Sequence, residues 1–383
     1  MAPPVRDMAV PDIRLPADLR PSDGRFGSGP SKIRQAAVEA LAAAAPTYLG
    51  TSHRARTVKS MVGRLRTGLS DLFRLPDGYE VALGNGGAAL FWDMATFGLI
   101  ERRSQHLTFG QFSASFAAAA KAAPHLDDPV VVASEPGTHP ALRATAGVDT
   151  YALTHNETST GVAMAVRRPP GVSSDEALVV VDATSAAGGM RVDPAEFDTY
   201  YFAPQKCFAA DGGLWLALLS PAAVERVERV KAGGRWIPAT LDLGLAVENS
   251  RLDQTYNTPS LATIFLMVQQ VEWMLAGGGL GWAASRSEES AALLYSWAEA
   301  SGYATPFVAD PAQRSPVVGT VDIDASFDAS VVSAVLRANG IVDTESYRKL
   351  GRNQLRIAMY PAVEASDVAT LTEAIDHVVA ALT

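Results

Sequence analysis

Short, strongly apolar runs alternating with helical or loop segments constrain this chain more than any other feature. They occur at HLTFG near 106, PVVVAS near 129, ALVVVDAT near 177, TYYFAPQK near 199 and GLWLALLS near 213. Apolar strands of this kind need cover on both faces, which is the property of a largely buried mixed sheet in an α/β domain. Around Val81 the repeating unit is complete: a strand, EVALG, a small-residue turn, NGGAA, and a helical stretch, LFWDMATFGLIERR, apolar at three- and four-residue spacing.

At 383 residues the chain exceeds the size at which one core usually stops growing, so a large and a smaller domain are expected. A helical pattern from Leu261 to about Leu275 stops at Gly277-Gly278-Gly279, which marks a hinge. Beyond it lie a helix near 283–301, strands at VVGTVDI and LRIAMY, and helices near 328–338 and 366–382, the pattern of a small α+β domain. The expected division is an N-terminal segment, 1–27, packing with the small domain, a large domain, 28–275, and a small C-terminal domain, 276–383.

Hydrophobic residues make up 48% of the chain and charged residues 19%, which describes a soluble globular protein. A net charge of −9 repels a phosphate backbone, so nucleic acid is not an expected partner. No stretch reaches the roughly 18 apolar residues a membrane helix needs. The opening, rich in proline and charge, is no secretory signal, and a cytoplasmic location is expected. Cys207 is the sole cysteine, which excludes an intrachain disulfide and multi-cysteine metal motifs; no metal is expected.

The turn Gly84-Asn85-Gly86-Gly87-Ala88-Ala89, between a strand and a helix, can offer backbone N–H groups and a helix dipole to a phosphate. It fits a dinucleotide fingerprint loosely, but that reading wants an acidic residue at the end of the next strand, and Glu101 falls at the helix end. A structural glycine turn is the other reading. Asp182 stands at the exit of a very apolar strand and Lys206 just past another, so both fall at one edge of the sheet. Alone, the first is a cap or turn former and the second a surface charge. Together they can serve one ring, the carboxylate holding a ring nitrogen protonated and the amine supplying an imine nitrogen.

An ordered set of blocks narrows the choice: FGSGPSK at 26, SHR at 52, GNGGAA at 84, NET at 156, VDATSAAGG at 181, PQK at 204, NTPS at 257 and LRIAMY at 355. In that order they resemble the phosphoserine aminotransferases, in their actinobacterial form, a branch of the fold-type I enzymes that use pyridoxal 5'-phosphate. The resemblance spans nearly the whole chain. It implies a fold-type I transferase whose large domain binds the cofactor on a mixed, mostly parallel sheet. It also implies amino transfer from L-glutamate to 3-phosphohydroxypyruvate, giving phosphoserine, in serine synthesis, and allows a related substrate of vitamin B6 synthesis.

Carried over by position, the resemblance makes Lys206 the Schiff-base lysine and proton shuttle, and Asp182 the partner of the pyridine nitrogen. A free lysine is neutral in only about one molecule in 2,500 at pH 7, so its pocket must lower its proton affinity. A carboxylate about 4 Å from a pyridinium gains roughly 4 kcal/mol at an effective dielectric of 20. Gly87, Ala88 and Gln205 are the implied phosphate ligands, Thr158 lies on the ring-hydroxyl side, and Phe112 is the stacking ring where the family often has tryptophan. Asn257 and Thr258 are implied to reach the cofactor phosphate of a partner subunit, so a homodimer with shared sites is expected.

On the substrate side, Arg356 is the implied clamp for the α-carboxylate, since guanidinium offers a planar two-donor fork. His53 and Arg54 match contacts to the substrate phosphate made from the partner subunit. Taken alone, NTP is a helix start and SHRAR a solvated basic turn. Many members carry an arginine after the glycine loop where this chain has Ala89, which keeps an alanine–glyoxylate or serine–pyruvate type aminotransferase in view. A cofactor-binding protein without turnover is the reading from another class.

Overall fold

The computed structural model describes residues 10–383; residues 1–9, the start of the N-terminal segment expected to pack on the small domain, lie outside the described residues. In chain order the strands are β1 (Glu80–Asn85), β2 (Ser104–Thr108), β3 (Val130–Ala133), β4 (Thr150–Thr154), β5 (Asn156–Glu157), β6 (Val162–Ala163), β7 (Leu178–Asp182), β8 (Thr199–Phe202), β9 (Leu214–Leu219), β10 (Ala304–Pro306), β11 (Val318–Ile323) and β12 (Gln354–Ala358). The helices before the sheet are α1 (Gln35–Tyr48) and α2 (Arg56–Phe73), and those among its strands are α3 (Ala88–Gly98) and α4 (Gln111–Ala122). After it come α5 (Pro221–Ala232), α6 (Leu243–Arg251), α7 (Leu261–Gly277), α8 (Leu280–Ala300), α9 (Ala329–Ala338) and α10 (Ala365–Leu382).

Seven strands form one mixed sheet in the order β1-β9-β8-β7-β4-β2-β3. The steps from β8 through β7, β4 and β2 to β3 are parallel, while β9 is antiparallel to both of its neighbours, β8 and β1. Those two reversals cancel, so β1 runs in the same direction as the parallel strands. The segments that leave β1, β2, β4, β7 and β8 therefore all emerge at one edge, where open α/β sheets bind ligands.

Strand β7 shows why the sheet is covered on both sides. Val179 and Val181 point into a cluster with Leu65 and Leu69 of α2 and Val271 and Met274 of α7. Leu178 and Val180 point into a second cluster with Phe91 and Met94 of α3, Val227 of α5 and Val247 of α6. Burial of each such side chain stabilises the fold by roughly 1.5–3 kcal/mol, and the alternation spends none of them on solvent.

The Gly277–Gly279 cluster breaks the apolar helical run as its composition implies, α7 and α8 meeting at 91°. Gly278 and Gly279, at φ of 125° and 79°, take up the turn that residues with a Cβ resist. Beyond it, α8, α9 and α10 cover the three-stranded sheet β10-β11-β12 around Leu294, Val332, Leu355 and Ile375. Leu15 and Phe26 belong to the same cluster, and Phe26 is tied by its backbone to Val342 and Ala358. Among the described residues no single helix is long and apolar enough to cross a membrane.

Candidate active site

At the shared edge of the sheet lies a cleft of about 350 Å³ whose walls come from all five of those strand exits. Lys206, beyond β8, projects into it with its side chain almost fully buried, and its Nζ donates to the carbonyl of Ser28. Tyr360 donates to the same carbonyl at 2.8 Å. Gly29 passes so close that a Cβ there would stand 2.0 Å from Lys206 Nζ, at a φ of 142° that side chains resist. Burial first, and the Arg356 charge second, push the Lys206 amine down to about 8, against the weaker opposing pull of Cys207 and Asp182. At pH 7 that leaves roughly one amine in ten neutral, some two hundred times the fraction of a free lysine.

Asp182 ends β7 on the facing wall and is nearly buried. Its Oδ1 accepts from the Thr184 backbone N–H at 3.0 Å and hydroxyl at 2.6 Å, and its Oδ2 accepts from Trp92 Nε1 at 3.2 Å and Tyr201 Oη at 3.1 Å. All four partners are donors, a set suited to an ionised carboxylate, which only accepts.

The third wall is the glycine turn and the start of α3. Gly86 adopts a φ of 118° and donates its N–H to the Gly213 carbonyl, which fixes the turn. No side chain caps α3 at Gly87, and a Cβ there would meet nothing within 4 Å, so the helix N-terminus opens toward the cleft. Ala88, Ala89 and Trp92 line the wall from one face of that helix. Gln205 also lines it, and its side-chain oxygen has no partner.

The last wall joins Phe112, at the start of α4, to Asn156 and Thr158 of the β5 turn. Thr158 Oγ1 and Asn156 Nδ2 both bond Ser185 Oγ, at 2.7 and 2.9 Å, which leaves Asn156 Oδ1 buried without a partner. Arg356, on β12, approaches this wall. Its Nη1 donates to the Thr158 carbonyl at 3.4 Å, its Cζ is 5.3 Å from the Tyr347 ring centre, and its Nε has no partner. Burial lowers the Arg356 guanidinium from its usual range.

The fold thus gathers Gly87, Ala88, Phe112, Thr158, Asp182, Gln205 and Lys206 at one cleft, with Arg356 beside it. It does not bring His53, Arg54, Asn257 or Thr258 into the cleft of their own chain. Those four lie beside the glycine turn and away from the cleft. Asn85 Nδ2 donates to the Thr258 carbonyl at 2.6 Å, Thr258 Oγ1 lies 3.2 Å from His53 Nδ1, and Arg54 Nε lies 3.4 Å from His53 Nε2. Asn257 lines a separate cavity of about 260 Å³ with Gly84, Gly86 and Trp215. Gly29, Trp92, Thr184 and Asn156 are cleft residues that the motif reading gave no role. For Gly29 the FGSGPSK block was the available signal; for Trp92 none existed beyond its helical face.

Residues 142–371 match the family model for the class-V aminotransferases. A phosphoserine aminotransferase of a Nocardioides species is 63% identical over 96% of this chain and 98% of its own length. One from Rhodococcus jostii is 57% identical over 96% and 98%. The chain belongs to the phosphoserine aminotransferase family. The phosphoserine aminotransferase crystal structure from Cytophaga hutchinsonii, at 24% identity, superposes with a TM-score of 0.83 over 92% of this chain and 99% of that one. The enzyme of that name from Bacillus circulans subsp. alkalophilus gives 0.82 at 21% identity, over 94% and 99%. These two likenesses concern the fold, a fold-type I transferase.

The family's cofactor is pyridoxal 5'-phosphate, and the cleft has the donor set this group requires. A depressed lysine amine suits its aldehyde, an uncapped helix N-terminus with Gln205 suits its phosphate, and Asp182 suits a protonated ring nitrogen. Cys207, beside the lysine, is a buried filler: its Sγ lies 3.3 Å from the Ser185 carbonyl, and burial pushes the thiol well above its usual range.

Proposed function

We propose that the chain transfers an amino group from L-glutamate to 3-phosphohydroxypyruvate, yielding O-phospho-L-serine and 2-oxoglutarate in cytoplasmic serine synthesis. The observation that carries this reading is the pairing across one cleft of a buried, partly neutral Lys206 with an Asp182 held by four donors. Bound pyridoxal phosphate supplies an aldehyde that bonds amines and an electron-poor ring that accepts the electrons of the broken Cα–H bond.

In this reading Lys206 would hold the cofactor through its Nζ, and the same neutral Nζ would receive the α-proton of the amino acid. Asp182 holds the ring-nitrogen proton in place. Gly87 and Ala88 offer backbone N–H groups to the phosphate, with Gln205 adding its side chain. Phe112 would stack against the ring and Thr158 would meet its hydroxyl. Arg356 clamps the α-carboxylate of either substrate, which explains a guanidinium with unpaired Nε beside the cleft.

His53, Arg54, Asn257 and Thr258 belong, in the same reading, to the site of a second copy in a homodimer. Their grouping on the surface outside their own cleft supports this, as does the exposed Tyr256 beside them. Mixing Lys206→Ala chains with Arg54→Ala chains tests it, because hybrid dimers would regenerate one intact site and recover activity that neither parent has. The function itself is tested by titrating the purified protein with L-glutamate, then 3-phosphohydroxypyruvate. The visible band of the bound cofactor should vanish and return, and phosphoserine should react where serine does not. A band unmoved by L-glutamate would leave a cofactor-binding protein without turnover.

A further inference from the structure

Helix α4 begins without an N-cap side chain, and its own Ser113 Oγ accepts only from Gly110 and Phe109, ahead of the helix. Gly110 precedes it and has no side chain to offer, and a Cβ there would stand 2.3 Å from Glu157 Cγ. The orphan N–H groups of its first turn go instead to the β5 turn. Gln111 N donates to Ser159 Oγ at 3.0 Å, Phe112 N to Glu157 Oε1 at 3.3 Å, and Ser113 N to Glu157 Oε2 at 2.9 Å. The Ser159 hydroxyl donates to Glu157 Oε1 at 2.7 Å, and the Ser113 hydroxyl lies 2.9 Å from Oε2.

Glu157 is fully buried, and among the described residues no lysine or arginine side chain bonds it. A buried carboxylate is costly unless donors compensate it, and here the donors are the start of one helix. Both ends of the tie are cleft walls: Phe112 follows Gln111 on α4, and Asn156 and Thr158 flank Glu157 on β5. Neighbouring contacts extend it, since Arg356 donates to the Thr158 carbonyl and Tyr347 lies 6.0 Å from Phe112, ring centre to ring centre.

We infer that Glu157 is a positioning residue that fixes the Phe112 ring at the cofactor cleft by capping α4 from another segment of the chain. It acts through Phe112 and touches no reacting atom. The inference rests on the reading above that Phe112 covers the bound cofactor.

A double-mutant cycle on the full-length protein tests it, reading the dissociation constant of pyridoxal phosphate from absorbance as the cofactor is added back. Phe112→Ala should weaken binding on the order of tenfold, the scale of one lost aromatic contact. Glu157→Gln keeps the shape but turns an N–H group toward the helix donors, and should weaken binding by a similar factor. The double variant should be no worse than Phe112→Ala alone. Multiplying losses in the double variant would overturn the role of Glu157. An unchanged constant for Phe112→Ala would instead overturn the placement of the ring. Should Glu157→Gln not fold, Ser159→Ala enters the same cycle, since it removes the hydroxyl linking Gln111 to Glu157 and keeps the carboxylate.

Discussion

Trp92 donates its indole N–H to Asp182 across 3.2 Å, from a helix face that also carries Ala88 and Ala89 into the cleft. The carboxylate proposed to face the ring nitrogen is thus held by an aromatic side chain that itself lines the same cleft.

Asp182→Asn removes the charge and turns an amide N–H toward two existing donors. If the ring proton depends on about 4 kcal/mol of ion pairing, kcat should fall roughly a thousandfold. Single-turnover kinetics with L-glutamate check this, and a loss below tenfold would contradict the assignment.

Trp92→Phe keeps an apolar wall but deletes one donor to a buried carboxylate. A hydrogen bond to a charged group contributes about 1.5–3 kcal/mol, so the cofactor-free protein should lose about that much stability in urea denaturation. The variant should also lose the largest share of the tryptophan quenching that follows cofactor binding.

Lys206 gives a pH-dependent prediction. Its amine titrates near 8 when folded and near 10.5 when unfolded, so the unfolded chain binds more protons between those values. The charged form is therefore disfavoured in the fold at neutral pH, and that penalty is relieved as pH rises from about 8 to 10.5. Lys206→Met should stabilise the cofactor-free protein by up to about 3 kcal/mol at pH 7, with the gain gone above pH 10.5. Thermal melts of both proteins across that range measure it.

Arg356→Lys keeps the charge and loses the fork. The KM for L-glutamate should rise about ten- to a hundredfold with a smaller change in kcat. Gly29→Ala, by contrast, places a methyl against Lys206 Nζ and should abolish cofactor loading while far-ultraviolet circular dichroism stays unchanged.

Much of this arrangement was legible in the chain. Apolar runs marked β2, β3, β7, β8 and β9, and the glycine cluster marked the break between α7 and α8. Strand β4 is not legible, because Thr150 and Thr154 leave only three apolar residues between them. Lys206 and Asp182, each ordinary alone, stand out as a pair because two apolar strands deliver them to one edge of the sheet. Trp92 did not, because in a stripe reading LFWDMATFGLI an indole counts as core, and the partner of its N–H is 90 residues away. Glu157 was hidden in NET for a similar reason: periodicity does not tell a buried cap from a surface charge. His53 and Thr258 pair outside their own cleft, so one chain alone does not display what they serve.

The ties that close the cleft span long stretches of chain: 178 residues from Lys206 to Ser28, 198 from Arg356 to Thr158, and 332 from Tyr360 to Ser28. A nascent polypeptide still missing β12 already carries the residues that line the cleft but lacks Arg356 and Tyr360, so the tie to Thr158 and one of the two to Ser28 come last. The lining thus precedes its bracing, and fragments that stop short of residue 360 should hold the vitamin-derived group more weakly than the finished chain, however well their central sheet has formed.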